Sequence, residues 1–256
     1  MASDKKILVL FGGPGRERVV LRMCEQGWSP VCVVAPCSTN DRLNKSLDVI
    51  RSAGIPVQCT KRAGLDSFLS SFGGATLLSV GFPFLLKPTH LSMFPHCLNV
   101  HPTLLPRYRG PTTGAYILMN NEKESGVTIH ILDEGMDTGP IVLQRKVPLN
   151  RFDTPASLQR KVYDIEPDAV VEALEIFFAP GFTPLPQDEC QASTFPAKRV
   201  PEDSMIDATK SIGELFDFIR ACDIDKYPAF FYVDGHKVCV RFWRPERPSN
   251  DQVDML

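Results

Sequence analysis

Asn99 and His101 are the two residues whose types and spacing suggest chemistry most directly. They lie two positions apart in the apolar run at residues 97–101, which is predicted to be a β-strand, so both side chains leave the same face. Pro102 follows at once, and because proline lacks a backbone N–H, the strand is predicted to end there. Ligands bind beyond the carboxyl ends of strands in open α/β sheets, so the pair lies where a substrate would bind.

The chemistry that this pair suits is the transfer of an acyl group to an amine. An imidazole titrates near neutral pH and accepts a proton, and a side-chain amide donates to an oxygen on which negative charge develops. The loop that follows is stiffened by Pro102, Pro106 and Pro111, more than a simple connector requires. On these residues alone, an alternative without catalysis stays open. In it, His101 only caps the strand, and Asp137, farther along the chain, only shapes a glycine-rich turn.

The elements that must position the pair predict an α/β fold. Apolar runs typical of buried parallel strands alternate with amphipathic segments typical of helices. The predicted strands lie at residues 6–11, 30–35, near 57, 76–80, 97–101, 127–132 and 141–147. The predicted helices lie at residues 16–26, 41–53, 113–119 and 154–178. This alternation is typical of a Rossmann-like, doubly wound and mostly parallel sheet.

Composition divides the chain into three parts. Residues 1–179 hold the α/β elements and are predicted to form a catalytic domain. Residues 180–197 are rich in Pro, Gln, Asp and Ser and are predicted to be a linker. Residues 198–256 are predicted to form a small α+β module with a helix at 211–222 and a β-hairpin around Asp234-Gly235. The edge of that hairpin would permit pairing into a homodimer, although its Arg and Lys side chains oppose it.

Charge, cysteine spacing and the amino terminus limit the classes of partner. The 256 residues carry a formal net charge of −2, so no overall positive field favours a long nucleic-acid partner, although none is excluded. The eight cysteines include no C-x-x-C pair, so neither a metal site nor a secreted disulfide framework is expected. The first apolar run, residues 6–11, is too short for a signal peptide or a membrane span, which predicts a cytoplasmic protein without a membrane partner.

Two long motifs resemble the folate-dependent formyltransferases. They are Asn-Val-His-Pro-Thr-Leu-Leu-Pro-Arg-Tyr-Arg-Gly at residues 99–110 and Gly-Val-Thr-Ile-His-Ile-Leu-Asp-Glu-Gly-Met-Asp-Thr-Gly-Pro at residues 126–140. The resemblance implies transfer of a formyl group from 10-formyltetrahydrofolate to a primary amine, without a metal. It also implies roles: Asn99 would bind the formyl oxygen, His101 would act as acid and base, and Asp137 would orient His101 and a proton-shuttling water.

The resemblance places the pterin and formyl end of the folate between two loops, bound chiefly by main-chain groups. The implied residues are Phe82, Phe84, Leu85 and Leu86 in the first loop and Asp133, Gly135 and Met136 in the second. For each apolar side chain of the first loop, packing into the core is the alternative.

Candidate acceptor-binding groups flank the predicted pair in the chain. Gly12, Gly13 and Arg16 follow the first strand and could cradle a phosphate at a helix start, or the glycines could simply make a tight turn. Arg107 and Arg109 could bind acceptor phosphates or folate carboxylates, or they could be solvated. His130 alternates with apolar neighbours on its strand and is predicted to be a core histidine with its hydrogen bonds satisfied.

The acceptor is inferred from the C-terminal module, which resembles a truncated form of the small barrel of some formyltransferases. Such tails favour an amino sugar on a nucleotide as the acceptor. Methionyl-tRNA is the first alternative, because basic residues of the module could form a local tRNA-binding face: Lys198, Arg199, Lys237, Arg241, Arg244 and Arg247. Glycinamide ribonucleotide is the second. The alternative that is not an enzyme is a catalytically silent folate-binding or interaction protein. Such a protein would not need Asn99, His101 and Asp137 together.

Overall fold

The computed structural model describes residues 6–111, 113–195 and 198–245. Within these ranges a seven-stranded sheet has the order β3-β2-β1-β4-β5-β6-β7. Strands β1 to β5 are parallel, whereas β6 pairs antiparallel with both β5 and β7. The strands are β1 (Lys6–Phe11), β2 (Ser29–Pro36), β3 (Val57–Thr60), β4 (Thr76–Val80), β5 (His96–His101), β6 (Glu124–Ile131) and β7 (Ile141–Pro148). The predicted Rossmann-like, mostly parallel sheet is confirmed.

Helices cover both faces of the sheet and begin where the sequence provides capping side chains. The side chain of Asn40 accepts the Leu43 N–H at the start of α2, and Thr154 accepts the Ser157 N–H at the start of α6. The helices are α1 (Glu17–Glu25), α2 (Asp41–Ser52), α3 (Leu65–Ser70), α4 (Pro88–Leu91), α5 (Gly114–Met119), α6 (Pro155–Phe177) and α7 (Ile212–Arg220). No described helix is long and apolar enough to cross a membrane.

Strand alternation divides the core between the two faces of the sheet. Leu98 and Val100 of β5 join the larger cluster, which includes residues of α1, α2 and α6. Cys97 joins the smaller cluster, which includes residues of α3. Because successive side chains point to opposite faces, Asn99 and His101 lie on the same face as Cys97. The sheet therefore aims the predicted pair away from the larger core.

The C-terminal module packs against the α/β domain through α7. Its hairpin consists of β8 (Ala229–Val233) and β9 (His236–Val240), joined by the predicted turn. The buried Arg220 of α7 donates from Nη1 to the backbone oxygen of Asp153 at 2.9 Å and from Nη2 to that of Leu118 at 3.0 Å. Charge-assisted hydrogen bonds to two carbonyls thus fix the helix to the larger domain.

Residues 180–197, predicted to be a linker, pack closely against the α/β domain in their described part. Leu185 and Ile141 exchange backbone hydrogen bonds of 2.8 Å in each direction, so the segment continues the sheet edge at β7. We call residues 185–195 the strap. The physical reason for the difference is that Gln187 and Glu189 bind carbonyls and a guanidinium of the domain, which composition alone does not reveal.

Candidate active site

Asn99, His101 and Asp137 converge at the carboxyl end of β5. Asn99 Nδ2 lies 3.5 Å from Asp137 Oδ1, and His101 Nδ1 lies 3.5 Å from Asp137 Oδ2. Asp137 belongs to the loop between β6 and β7, which folds back over the face from which Asn99 and His101 project. One carboxylate thus contacts both members of the pair that strand geometry predicts, across 38 positions of sequence.

His101 is buried and has its two ring nitrogens in different surroundings. Nε2 lies 2.9 Å from the backbone oxygen of Tyr108, so it carries the proton and donates it. In the neutral ring, Nδ1 then holds a lone pair that faces Asp137. Burial lowers the pKa of His101, and although the charge of Asp137 and the Tyr108 carbonyl oppose this, the net shift is downward. The imidazole is therefore a neutral base at neutral pH.

Asp137 is held as an anion in a backbone conformation that few side chains adopt. Its φ is +56°, a left-handed value that Asp tolerates better than most residues. Its Oδ2 accepts the Gly110 N–H at 2.8 Å. Burial opposes ionisation, but the Gly110 N–H and the rings of His130 and His101 in their protonated forms favour the anion, so the pKa of Asp137 lies well below its ordinary value. The carboxylate can stabilise a positive charge that forms on His101.

His130 belongs to this site as well as to the core. It is fully buried, as predicted, but it lies opposite Asn99 in the antiparallel pairing of β5 and β6. Its Nδ1–H donates to the backbone oxygen of Ile131 at 2.9 Å, which leaves Nε2 to accept the Asn99 amide at 3.2 Å. The prediction of a core role alone was incomplete, because cross-strand register brings His130 to Asn99 and its alternation with apolar residues does not show that.

The two loops predicted to bind folate lie on the same face of the sheet. Phe82, Phe84 and Leu86 pack in part against the smaller core cluster, and Leu132 of the second loop packs there too. Leu85 is 77% exposed, so the first loop offers apolar surface to a ligand. A cavity of about 250 Å³ opens beside it, with Leu85, Lys87 and Arg62 in its wall.

The second loop is shaped by one of the residues predicted to bind folate. Asp133 Oδ1 accepts the Gly135 N–H at 3.1 Å and the Thr138 hydroxyl at 2.7 Å, so this side-chain oxygen stabilises the turn. Met136 is 39% exposed at the tip of the loop. Whether these residues contact a folate stays a prediction.

Arg16, predicted to bind a phosphate, is engaged within the protein. It is buried, and its Nε donates to Glu166 Oε1 at 2.6 Å while Nη2 donates to the Val100 carbonyl at 3.3 Å. The Gly12 N–H is also used, since it donates to the Val80 carbonyl at 3.1 Å. Arg16 thus forms a buried ion pair, and Gly12 allows close approach to the neighbouring loop, where a Cβ would lie 2.5 Å from the Gly81 oxygen. These contacts favour the turn interpretation, and the phosphate cradle stays a prediction.

Gly13 is the third member of the predicted cradle, and position 13 must be small because the Arg16 side chain lies against it. A Cβ at position 13 would lie 2.4 Å from Arg16 Cδ. Glycine is needed there to admit the buried arginine, which supports the turn interpretation.

Arg107 and Arg109 are likewise engaged within the protein. Arg109 is buried, and its guanidinium donates to Gln187 and Glu189 of the strap. Arg107 Nη1 donates to both carboxylate oxygens of Glu122 at 3.0 Å. Arg109 thus binds groups of the protein with most of its donors, and its predicted acceptor role stays a prediction. Arg107 is therefore a partly exposed cation paired with Glu122, and its acceptor role stays a prediction.

No group of three or more His, Cys, Asp or Glu side chains in the described ranges could hold a metal ion. The polar groups that meet at the carboxyl end of β5 are those of Asn99, His101 and Asp137. Together they offer a neutral base, an amide donor and a fixed carboxylate, the set that suits attack of an amine on a carbonyl carbon.

Comparisons with protein families match most of the chain. Residues 5–174 match the family described as formyl transferase. Residues 201–254 match the family described as methionyl-tRNA formyltransferase, C-terminal domain. The two matched regions follow each other in the same order as the α/β domain and the C-terminal module.

Similar proteins carry the name methionyl-tRNA formyltransferase. The protein of that name from Thermotoga neapolitana is 31% identical over 97% of this chain and 82% of its own length. One from Kosmotoga olearia is 34% identical over 68% of this chain and 57% of its own. One from Carboxydothermus hydrogenoformans is 40% identical over 58% of this chain and 47% of its own. The chain spans about half the length of several relatives that it matches.

Solved structures with the same fold include a glycinamide ribonucleotide transformylase from Symbiobacterium toebii. It superposes with a TM-score of 0.62 at 26% identity, over 73% of this chain and 96% of its own. A sugar N-formyltransferase from a Shewanella species superposes with a TM-score of 0.69 at 18% identity, over 93% of this chain and 96% of its own.

The expectation of an amino-sugar acceptor was wrong. Relatives at 31% to 40% identity are named methionyl-tRNA formyltransferase, and the C-terminal residues match the domain of that enzyme. The sugar enzyme is a neighbour in fold at low identity. The physical reason for the error is that a short module and a near-neutral net charge describe the whole chain and do not identify which surface binds the acceptor.

Proposed function

The chain belongs to the formyl transferase family, and from that premise we propose that it transfers a formyl group from 10-formyltetrahydrofolate to the amino group of methionyl-tRNA. The observation that carries the proposal is the match of residues 201–254 to the methionyl-tRNA formyltransferase C-terminal domain, directly after the match of residues 5–174. Several relatives named methionyl-tRNA formyltransferase support the same acceptor.

His101 is the general base of the proposed reaction. Its Nε2–H is committed to the Tyr108 carbonyl at 2.9 Å, so Nδ1 receives the proton that the attacking amine loses. The lowered pKa of His101, caused by burial, keeps Nδ1 unprotonated before the reaction. Once protonated, Nδ1 faces the Asp137 carboxylate, which stabilises the imidazolium.

Asn99 supplies the amide that binds the formyl oxygen. As the amine attacks, that oxygen gains negative charge, and the Nδ2–H that otherwise makes only the long 3.5 Å contact with Asp137 turns to stabilise it. The contact of Asn99 Nδ2 with His130 Nε2 at 3.2 Å orients the amide, so His130 acts through Asn99.

The formyl donor is a substrate that binds across the two loops of one sheet face. The exposed apolar surface of Leu85 and Met136 suits a flat aromatic ring system, and backbone N–H and C=O groups of the loops can bind its polar edge. This fit supports Phe82, Phe84, Leu85, Leu86, Asp133, Gly135 and Met136 as the residues of the donor site.

The catalytic domain and the C-terminal module have different roles in the proposed reaction. Residues 1–179 carry formyl transfer, and residues 198–256 bind the acceptor. The contacts of Arg220 with Asp153 and Leu118 hold the module against the α5 and α6 side of the catalytic domain.

A formyl-transfer assay with defined acceptors tests the proposal. The purified chain is incubated with 10-formyltetrahydrofolate carrying a labelled formyl carbon and with methionyl initiator tRNA, uncharged initiator tRNA or glycinamide ribonucleotide. The expected result is label in methionyl-tRNA, recovered as N-formylmethionine after deacylation, with none in uncharged tRNA. Label in glycinamide ribonucleotide alone would overturn the acceptor, and no transfer to any amine would overturn formyl transfer.

A further inference from the structure

The strap contacts the catalytic loop that follows β5 along most of its length. Arg109 N–H donates to the Ser193 oxygen at 2.8 Å, and Phe195 N–H donates back to the Arg109 oxygen at 2.8 Å. Ser193 N–H donates to the Pro106 oxygen at 3.2 Å, and its hydroxyl accepts the Tyr108 N–H at 2.9 Å. The backbone that presents Tyr108 to His101 is thus itself held by the strap.

Gln187 is the strap residue that reaches the loop carrying Asp137. Its Nε2 donates to the backbone oxygens of Asp137 at 2.8 Å and Gly139 at 2.7 Å. Its Oε1 accepts from Arg109, at 3.1 Å from Nε and 2.8 Å from Nη2. Every hydrogen-bonding atom of this amide is used, and its contacts lie on two loops that are far apart in sequence.

These contacts place Gln187 between the two loops that define the site. The Asp137 loop supplies the carboxylate, and the loop of Arg109 supplies Gly110, whose N–H binds that carboxylate at 2.8 Å. Because Gln187 donates to one loop and accepts from the other, it fixes their separation. The 3.5 Å distance between His101 Nδ1 and Asp137 Oδ2 depends on that separation.

We propose that Gln187 is a positioning residue of formyl transfer, acting through Asp137. The inference rests on the proposed function. Donation to the Asp137 and Gly139 carbonyls holds the left-handed turn at Asp137, so the carboxylate meets His101 and Asn99 at once. Small displacements of such a group lower the rate of the chemical step while leaving substrate binding largely unchanged.

Two substitutions of Gln187 separate this role from simple support of Arg109. Gln187→Ala removes both the donations to the Asp137 loop and the acceptor for Arg109. Gln187→Glu keeps an acceptor for Arg109 but places a carboxylate against two carbonyl oxygens, so it loses both donations. Glu189→Ala is the matched control, because Glu189 also binds Arg109 from the strap, through an exposed side chain.

The measurement is steady-state kinetics with both substrates, alongside thermal melting of each variant. We expect kcat to fall about tenfold or more in Gln187→Ala and Gln187→Glu, with both KM values within about twofold of the wild type. Glu189→Ala should keep kcat within about twofold. A merely structural role would lower the melting temperature without this division between kcat and KM.

Two results overturn the inference. Wild-type kcat in Gln187→Glu would show that only the Arg109 contact matters, and an equal loss in Glu189→Ala would show a general effect of loosening the strap. If Gln187→Ala does not fold, Gln187→Glu and Glu189→Ala still decide the question. An inactive wild-type chain overturns the proposed function and this inference with it, whereas an active wild type with two active Gln187 variants overturns the inference alone.

Discussion

The two ring nitrogens of His101 have separate tasks, and a backbone carbonyl assigns them. Tyr108 takes the Nε2 proton, so Nδ1 is the basic atom, next to a carboxylate that is ionised because of its neighbours. This arrangement makes the pKa of His101 and the charge of Asp137 the two quantities on which the reaction depends.

The pH dependence of the rate follows from the pKa of His101. Burial lowers that pKa below the ordinary value of 6.5, and the base must be neutral to accept a proton. We therefore expect kcat/KM for the formyl donor, measured with saturating acceptor so that the free amine does not contribute, to rise with pH through a step centred below pH 6.5. Kinetics at pH values on both sides of this step measure it, and a step centred clearly above pH 6.5 would contradict the assignment of His101 as the base.

Loss of either charged partner should lower kcat strongly. His101→Gln removes the base, and Asp137→Asn removes the anion that stabilises the imidazolium, so we expect losses of roughly 10²- to 10⁴-fold in each. His96→Ala is the matched control, because His96 lies on the same strand at its opposite, exposed end. Rates and melting temperatures are measured together, and near-normal turnover in folded His101→Gln would refute the proposed chemistry.

The loop between β5 and α5 requires glycine at position 110 for two physical reasons. Gly110 has a φ of +101°, and a Cβ there would lie 2.3 Å from the Phe195 oxygen of the strap. We expect Gly110→Ala to lower both the melting temperature and kcat, since the clash displaces the N–H that binds Asp137.

Gly181→Ala is the control for backbone strain. Gly181 also has a positive φ, of +80°, but a Cβ at this position would meet no atom within 4 Å. The substitution should cost about 1 kcal/mol, or roughly 2–4 °C, with unchanged kcat. Equal effects of the two substitutions on kcat would contradict the role of the strap at Gly110.

The ion pair of Arg16 and Glu166 joins the loop before α1 to helix α6. Both side chains are buried, and Nε and Oε1 are 2.6 Å apart. Arg16→Met leaves Glu166 buried without its cation, which should destabilise the protein by about 3–5 kcal/mol. Asp48→Ala, which breaks the exposed pair with Arg51, should cost at most about 0.5 kcal/mol. Chemical denaturation measures both free energies, and equal small losses would mean that Arg16 is not a structural residue.

The whole chain has a net charge of −2, so attraction of a tRNA must come from a local basic surface. Among the residues that the structure describes, the candidates for this basic surface are Lys198, Lys237, Arg241 and Arg244. Arg199 is buried, and Arg247 lies outside the described residues. Arg199 instead donates to Ser204 and to the Asp203 oxygen, so it stabilises the module.

A higher salt concentration should therefore raise the KM for methionyl-tRNA far more than the KM for the formyl donor. We expect the logarithm of KM for methionyl-tRNA to rise linearly with that of salt concentration, and Lys237→Ala with Arg241→Ala to lower the slope by about 1–2. The control pair, Lys45→Ala with Arg51→Ala on α2, should leave the slope unchanged. A salt-independent KM for tRNA would contradict acceptor binding by the module.

The sequence by itself determined the strands of the sheet, the helices other than the short α3 and α4, and the shared face of Asn99 and His101, because strand and helix periodicities are local properties of the chain. Its motifs also indicated formyl transfer and the part of Asp137. Only the tertiary structure decided that Arg16 and Arg109 are used internally, that His130 meets Asn99, and that the segment predicted to be a linker contacts the loops of Arg109 and Asp137. The physical reason is that a polar side chain finds its partner through the packing of distant segments, which composition and periodicity do not record.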